Sequence, residues 1–202
     1  MRWESFEKNA RSRGFKLIAG LDEAGRGPLA GPVVAAAVVF PPIGRMKGIN
    51  DSKALSAEQR EEALSLLKKR AWGVGVGVVE AGEIDRINIL QASLKAMELA
   101  VKNLPLTPDF LLIDGLHCLN LSVEQAAIPK GDQRCLSVAA ASIVAKVTRD
   151  RLMISYHQEY PEYNFAKHKG YGTREHLQAI RKYGRCPIHR QSFRTNYQFS
   201  IL

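Results

Sequence analysis

Apolar and polar positions divide the chain into strand-length and helix-length blocks. Residues 16–22 hold the apolar run Leu17-Ile18-Ala19-Gly20-Leu21, and residues 33–40 (Val33-Val34-Ala35-Ala36-Ala37-Val38-Val39-Phe40) are apolar throughout. Short apolar runs bounded by turn formers read as buried strands. A loop rich in glycine and proline joins these two, which are therefore expected as antiparallel neighbours, and Pro41-Pro42 ends the second. Ser56 followed by Gln59 is a capping box, opening a helix that runs to about Arg70. Its last residues, Lys68-Lys69-Arg70, suit the negative end of a helix dipole.

Trp72 to Val79 alternates glycine and valine and reads as a third strand. Its glycines lack the strand–turn–helix setting of a nucleotide-binding loop, so they are read as the small-side-chain face of that strand. Leu90, Leu94, Met97, Val101 and Leu104 recur at helical spacing across 87–104, and Pro105 stops the helix. Phe110-Leu111-Leu112-Ile113 is a short buried strand delivering Asp114; Ala126-Ala127-Ile128-Pro129 is another, followed by Lys130-Gly131-Asp132. A long helix over 133–158 is rich in small residues that permit close packing on a sheet, and Thr173 to Tyr183 forms a final short helix. The order β-β-(α)-β-α-β-β-α describes an α/β fold with a five-stranded mixed sheet flanked by helices, not an alternating doubly wound one.

Composition narrows the class. The 202 residues, 46% hydrophobic, suit one sizeable domain with a full core. No stretch is long and apolar enough to cross a membrane, and the polar N-terminus has no signal-peptide core. Three widely spaced cysteines (Cys118, Cys135, Cys186) argue against a disulfide framework or zinc cluster and for a reduced, cytoplasmic setting. Net charge is +9, and residues 160–202 hold eight Lys/Arg against two Asp/Glu, interleaved with Tyr163, Phe165, Tyr171, Tyr183, Phe193 and Tyr197. Cations for phosphates and rings for stacking form a nucleic-acid surface, though a solvated basic face with core aromatics has the same composition.

The chemistry concentrates where strands end. Asp22-Glu23 and Asp114 each close an apolar run, and Asp132 follows another. If neighbouring strands end at one edge, four carboxylates converge there, a set that repels itself without a cation. Oxygen ligands of this kind suit Mg²⁺ or Mn²⁺. The loop that follows Glu23, Ala24-Gly25-Arg26-Gly27-Pro28-Leu29-Ala30-Gly31-Pro32, adds glycines that admit close backbone approach and an arginine suited to phosphate. Acids beside such a cradle point to metal-assisted chemistry on a phosphate ester. Taken singly, each Asp is also an ordinary turn former or helix cap. His117, His157, His168, His176 and His189 show no ligand spacing, and His168 is expected as a surface residue. Cys186-Pro187-Ile188-His189 has the form of half a metal site without its other half.

Asp22-Glu23-Ala24-Gly25-Arg26-Gly27-Pro28, Asp51-Ser52-Lys53, Ile113-Asp114-Gly115, Lys130-Gly131-Asp132, the stretch from Ser137 to Asp150 and His168-Lys169-Gly170-Tyr171-Gly172 stand in an order that resembles bacterial ribonuclease HII, over nearly the whole chain. The resemblance implies a ribonuclease H-like fold with a small C-terminal helical part, here the basic region from about 160 to 202. It implies hydrolysis of the RNA strand of RNA–DNA hybrids, and cutting 5′ to single ribonucleotides embedded in duplex DNA, with two metal ions and 3′-hydroxyl and 5′-phosphate products. By position, Asp22, Glu23, Asp114 and Asp132 would be catalytic acids and ligands of Mg²⁺ or Mn²⁺. Gly25, Arg26 and Gly27 would read the 2′-hydroxyl, Tyr171 would stack on the sugar at the ribo-to-deoxy junction, and Lys53 would hold a phosphate. A monomer suffices for this activity. A non-catalytic nucleic-acid-binding module would explain the basic region but not the acids, and a DNA-directed nuclease of the same superfamily would not need Gly25-Arg26-Gly27 with Tyr171.

Overall fold

The structure is a computed structural model that describes residues 6–42, 46, 49, 52 and 55–194. Lys53, Asp51 and the tail from Asn196 to Leu202 lie outside the described residues. Five strands form one sheet: β1 (Ile18–Ala24), β2 (Val33–Val39), β3 (Gly73–Val79), β4 (Phe110–Asp114) and β5 (Glu124–Ile128). Their order is β3-β2-β1-β4-β5, with β1–β2 and β2–β3 antiparallel and β1–β4 and β4–β5 parallel. The mixed sheet and the antiparallel β1–β2 pair agree with the sequence reading.

The unbroken apolar run of β2 follows from its central place. Val33, Ala35, Ala37 and Val39 face α4 (Ile89–Lys102), where they meet Ala92, Ala96, Met97 and Ala100. Ala36 and Val38 point the other way, toward α2 (Ala57–Arg70) and α5 (Leu136–Glu159), packing with Leu64, Leu67, Ala140 and Ile143. A strand covered on both faces has no solvent side to mark with polar residues. The glycines of β3 are explained by the same helix. A Cβ on Gly75 or Gly77 would lie 2.1 Å from the Ala100 carbonyl oxygen or 2.0 Å from that of Ala96, so α4 lies backbone-close on the strand. The Ser56 capping box is present, its side chain accepting from the Gln59 N–H while Gln59 accepts from the Ser56 N–H.

Several expected boundaries move, each for a local reason. β1 runs on to Ala24 because Glu23 and Ala24 stay paired with Ala35 and Val34. The helix expected over 87–104 is α4, and a short helix the sequence reading did not assign, α3 (Ala81–Ile87), precedes it across Asn88. Asn88 takes a left-handed φ of 69° and its Oδ1 accepts from the N–H groups of Leu90 and Gln91, which makes it the cap of the second helix. α5 starts at Leu136, after a 3-10 turn over Gly131–Gln133. Its N-terminus is held by α1 (Phe6–Ser12), a helix the sequence reading did not assign: Glu7 accepts from both the N–H and the hydroxyl of Ser137.

Beyond α5 come a 3-10 turn (Pro161–Tyr163), the one-turn helix α6 (Phe165–His168) and α7 (Arg174–Tyr183). They build a second small core of Met153, Tyr163, Phe165, Ala179, Cys186 and Ile188. That core also takes in Ala30, from the glycine loop between β1 and β2, so the C-terminal region is anchored on the loop beside the acids.

Candidate active site

The acids are brought together by strand order. β1 and β4 are parallel neighbours in a register that pairs Leu21 with Ile113, so the next residues, Asp22 and Asp114, end adjacent strands side by side. Asp22, Glu23 and Asp114 each offer a carboxylate oxygen, and those atoms lie within 4.8 Å of one another. Asp22 is 4% exposed; its Oδ1 accepts from the Glu23 N–H at 2.7 Å, and its carboxyl is hydrogen-bonded by Ser142. The Ser142 hydroxyl is itself 2.7 Å from that of Ser52. Asp114 accepts from the Gly131 N–H at 2.6 Å, and Glu23 from Arg26 at 3.2 Å.

Burial and mutual repulsion set the charge state. Burial pushes the Asp22 pKa well above the usual carboxylate range, and the neighbouring Glu23 and Asp114 push it further. Burial also raises that of Glu23, partly offset by Arg26. Three hard oxygen donors that repel one another fit a small divalent cation, which would relieve the repulsion and satisfy the lone pairs together.

Asp132 stands outside this triplet. β5 ends at Ile128, level with Asp114, and the chain then turns through Lys130 at φ 56°. Asp132 falls in the 3-10 turn, 2% exposed, beside the glycine that holds Asp114.

The three acids line one side of a cleft of about 270 Å³, with Gly25, Arg26, Gly27, Ser52, Ser142, Lys146, Arg149 and Tyr171 around the rest. Tyr171 is 48% exposed, and its Cε1 lies 3.7 Å from where a Cβ on Gly27 would sit. The glycine loop and the Tyr171 ring therefore face each other across a narrow gap. Gly25 has φ +99°, and a Cβ there would lie 2.1 Å from Arg149 Nε, which leaves room for glycine alone.

Two side chains that sequence reasoning did not single out hold this loop. Arg190, fully buried, donates to the carbonyls of Gly25, Arg26, Gly31 and Pro32. Arg149, 1% exposed, donates to those of Ala30, Pro32 and Lys169. Burial lowers their pKa values to about 9 and about 10, yet every guanidinium nitrogen has a carbonyl partner. Lys146, at the cleft wall, pairs with Asp150 at 2.6 Å.

The expectation for His168 is corrected. It is buried, accepts from the Gly170 N–H at Nδ1, and stacks on His176 with ring centroids 4.5 Å apart. The Phe165 ring of the second core meets it edge-on, a contact that its setting among lysines in the sequence hides.

The sequence profile described as Ribonuclease HII matches residues 19–196. A Ribonuclease HII of Acetivibrio thermocellus is 57% identical over 192 residues, covering 95% of this chain and 75% of that relative. One of Syntrophus aciditrophicus is 55% identical over 191 residues, covering 95% and 90%. Among solved structures, ribonuclease H2 of Pyrococcus horikoshii is similar with a TM-score of 0.73 at 30% identity, covering 88% of this chain and 93% of that one. The RNase HII in the PCNA:RNase HII complex of Archaeoglobus fulgidus is similar with a TM-score of 0.75 at 27% identity, covering 88% and 95%. With a matching profile across nearly its whole length and relatives above half identity, this chain belongs to the ribonuclease HII family.

Proposed function

We propose that the cleft between the acids and Tyr171 is where this ribonuclease HII cuts the RNA strand of RNA–DNA hybrids, and duplex DNA on the 5′ side of an embedded ribonucleotide. The observation that carries this is the facing of three clustered carboxylates by a glycine loop and an exposed ring in one cleft. Asp22, Glu23 and Asp114 would hold the metal, with Asp132 a further acid on the turn beside them. Two ions, Mg²⁺ or Mn²⁺, would supply an activated water and offset charge on the phosphoryl group in an in-line displacement, leaving 3′-hydroxyl and 5′-phosphate ends.

The chain's own residues supply selection and placement. Gly25, Arg26 and Gly27, their carbonyls at Gly25 and Arg26 tied by Arg190, present a fixed backbone that can meet a 2′-hydroxyl, the group that tells RNA from DNA. The Tyr171 ring would lie against the sugar at the ribo-to-deoxy junction, where an added hydroxyl would be crowded. Neither device touches base edges, so cutting is expected to tolerate sequence. The basic C-terminal region would follow the phosphates as part of the same catalytic domain. The acids, the glycine loop and Tyr171 all belong to this chain, so a monomer would suffice for this activity.

The test uses two labelled duplexes, one all-DNA and one carrying a single ribonucleotide, each with Mg²⁺, Mn²⁺ or EDTA. A single metal-dependent cut 5′ to the ribonucleotide, with the all-DNA duplex intact, is the expected result. Cutting of both duplexes, or binding without cutting under every metal, would overturn the reading.

A further inference from the structure

Three buried imidazoles lie behind Tyr171, and their hydrogen bonds run in one direction. The Cys186 N–H points at His189 Nδ1 at 2.9 Å, nearer than the Cys186 carbonyl oxygen at 3.2 Å. The Cys186 sulfur is 3.0 Å from the same nitrogen, and burial raises that thiol to about 11, so it stays protonated. His189 Nδ1 is therefore an acceptor, and the neutral ring carries its proton on Nε2. That N–H faces His176 Nε2 at 3.0 Å, which must accept. His176 then carries its proton on Nδ1, and Nδ1 lies 2.9 Å from the Tyr171 carbonyl oxygen. The third ring, His168, accepts at Nδ1 from Gly170, donates from Nε2 to the Tyr163 carbonyl at 2.6 Å, and stacks on His176. Each ring has one tautomer that satisfies its neighbours, and any second proton between His176 and His189 would set two N–H groups against each other.

The start of this chain of bonds is fixed to the glycine loop. His189 bridges Ala30, the Ile188 carbonyl accepts from the Gly31 N–H at 2.8 Å, and the Arg190 N–H donates to the Leu29 carbonyl at 2.9 Å. Its end is fixed to Tyr171. The segment from Cys186 to Arg190 thus touches both walls of the cleft: the glycine loop directly, and Tyr171 through His176.

We propose that His189 and His176 are positioning residues, a one-way hydrogen-bond relay that sets the Tyr171 ring against the glycine loop and thereby the preference for a ribonucleotide followed by DNA. The proposal rests on the reading of Tyr171 as the ring that meets the junction sugar. The Cys186–His189 pair, which looks in sequence like half a metal site, serves here as the first link of the relay.

The readout is the ratio of cleavage rates on a single-ribonucleotide duplex and on a uniform RNA–DNA hybrid, which has no junction at its internal sites. His176→Phe keeps a flat ring but removes the donor, and should lower the ratio about tenfold. His176→Asn, whose amide nitrogen takes the place of Nδ1 but which offers His189 no acceptor where Nε2 stood, should restore it only in part. In a Tyr171→Ala background, His176→Phe should lower the ratio no further, since it acts through that ring. A ratio unchanged in His176→Phe while Tyr171→Ala lowers it would overturn the relay alone. A ratio unchanged in Tyr171→Ala would overturn the reading of Tyr171, and the relay with it. Imidazole ¹⁵N spectra of the unmodified protein at neutral pH give a check that depends on no variant folding. They should show the Nδ1–H tautomer for His176 and Nε2–H for His189, and the reverse pair would overturn the proposal.

Discussion

Two regions of this molecule bury charge a few residues apart, and they solve the problem in opposite ways. Glu23 and Asp114 disfavour ionisation of Asp22, and Asp114 that of Glu23, with Arg26, Ser142 and backbone N–H groups among the groups set against them. Arg149 and Arg190 are equally buried, but each is surrounded by backbone carbonyls that accept from all its nitrogens. A buried charge is costly unless it is paired or hydrogen-bonded. The arginines are complete as folded, so they hold the glycine loop still. The acids keep their mutual repulsion as folded, which a divalent cation would relieve.

The sharpest way to break this contrast is Asp22→Asn. Cleavage should fall on the order of a thousandfold or more, because the amide cannot serve as an anionic ligand. The metal-free protein should melt no lower than the unmodified one at neutral pH, since a repulsive charge has gone. Single-turnover cleavage and thermal melting together check it. Arg190→Met should do the reverse, destabilising the fold by about 3 kcal/mol or more as the loop carbonyls lose their donor, measured by denaturant unfolding.

The pH dependence of stability separates the acids from the buried histidines behind Tyr171 as well. In the metal-free protein Asp22 and Glu23 have raised pKa values, so their contribution is full below the usual carboxylate range and is lost as pH rises through the raised values. His176 and His189 are lowered by burial from 6.5 to about 4, with Arg185 nearby lowering His189 further, so their contribution is present above 6.5 and lost as pH falls toward 4. Melting curves across this range should therefore lose stability at both ends, and Asp22→Asn should flatten the alkaline side only. The smallest effect is expected for Gly27→Ala. A Cβ there meets Tyr171 at 3.7 Å, an ordinary contact, so melting should stay within about 0.5 kcal/mol. The added methyl stands in the gap where the sugar must enter, and cleavage of the single-ribonucleotide duplex should fall about tenfold.

The sheet was legible because its central strands are buried on both faces, and such strands write themselves as apolar runs. The acid cluster was legible for a related reason: Asp22 and Asp114 interrupt those runs where β1 and β4 end, and only strand adjacency remained to be supplied. Asp132 follows its strand at a distance, and neither spacing nor hydropathy could tell how far the turn carries it from the others. The loop anchor was hidden. The partners of Arg149 and Arg190 are peptide carbonyls, which every residue has, so nothing in the side-chain pattern marks the contact. The histidines were hidden likewise, because His168, His176 and His189 belong to segments that meet only through the small C-terminal core. The start of α4 at Asn88 was in principle readable, since asparagine favours both the cap and a positive φ, but the seven residues of α3 before it are too few to show a helical apolar period.

The central claim, that these carboxylates are built to be completed by a divalent cation, is tested most directly by titrating Mn²⁺ into the protein by calorimetry, in the unmodified chain, Asp22→Asn and Asp114→Asn. Saturable binding that weakens at least about tenfold in both variants is the predicted result. Equal affinity in all three would place the metal elsewhere and contradict the account.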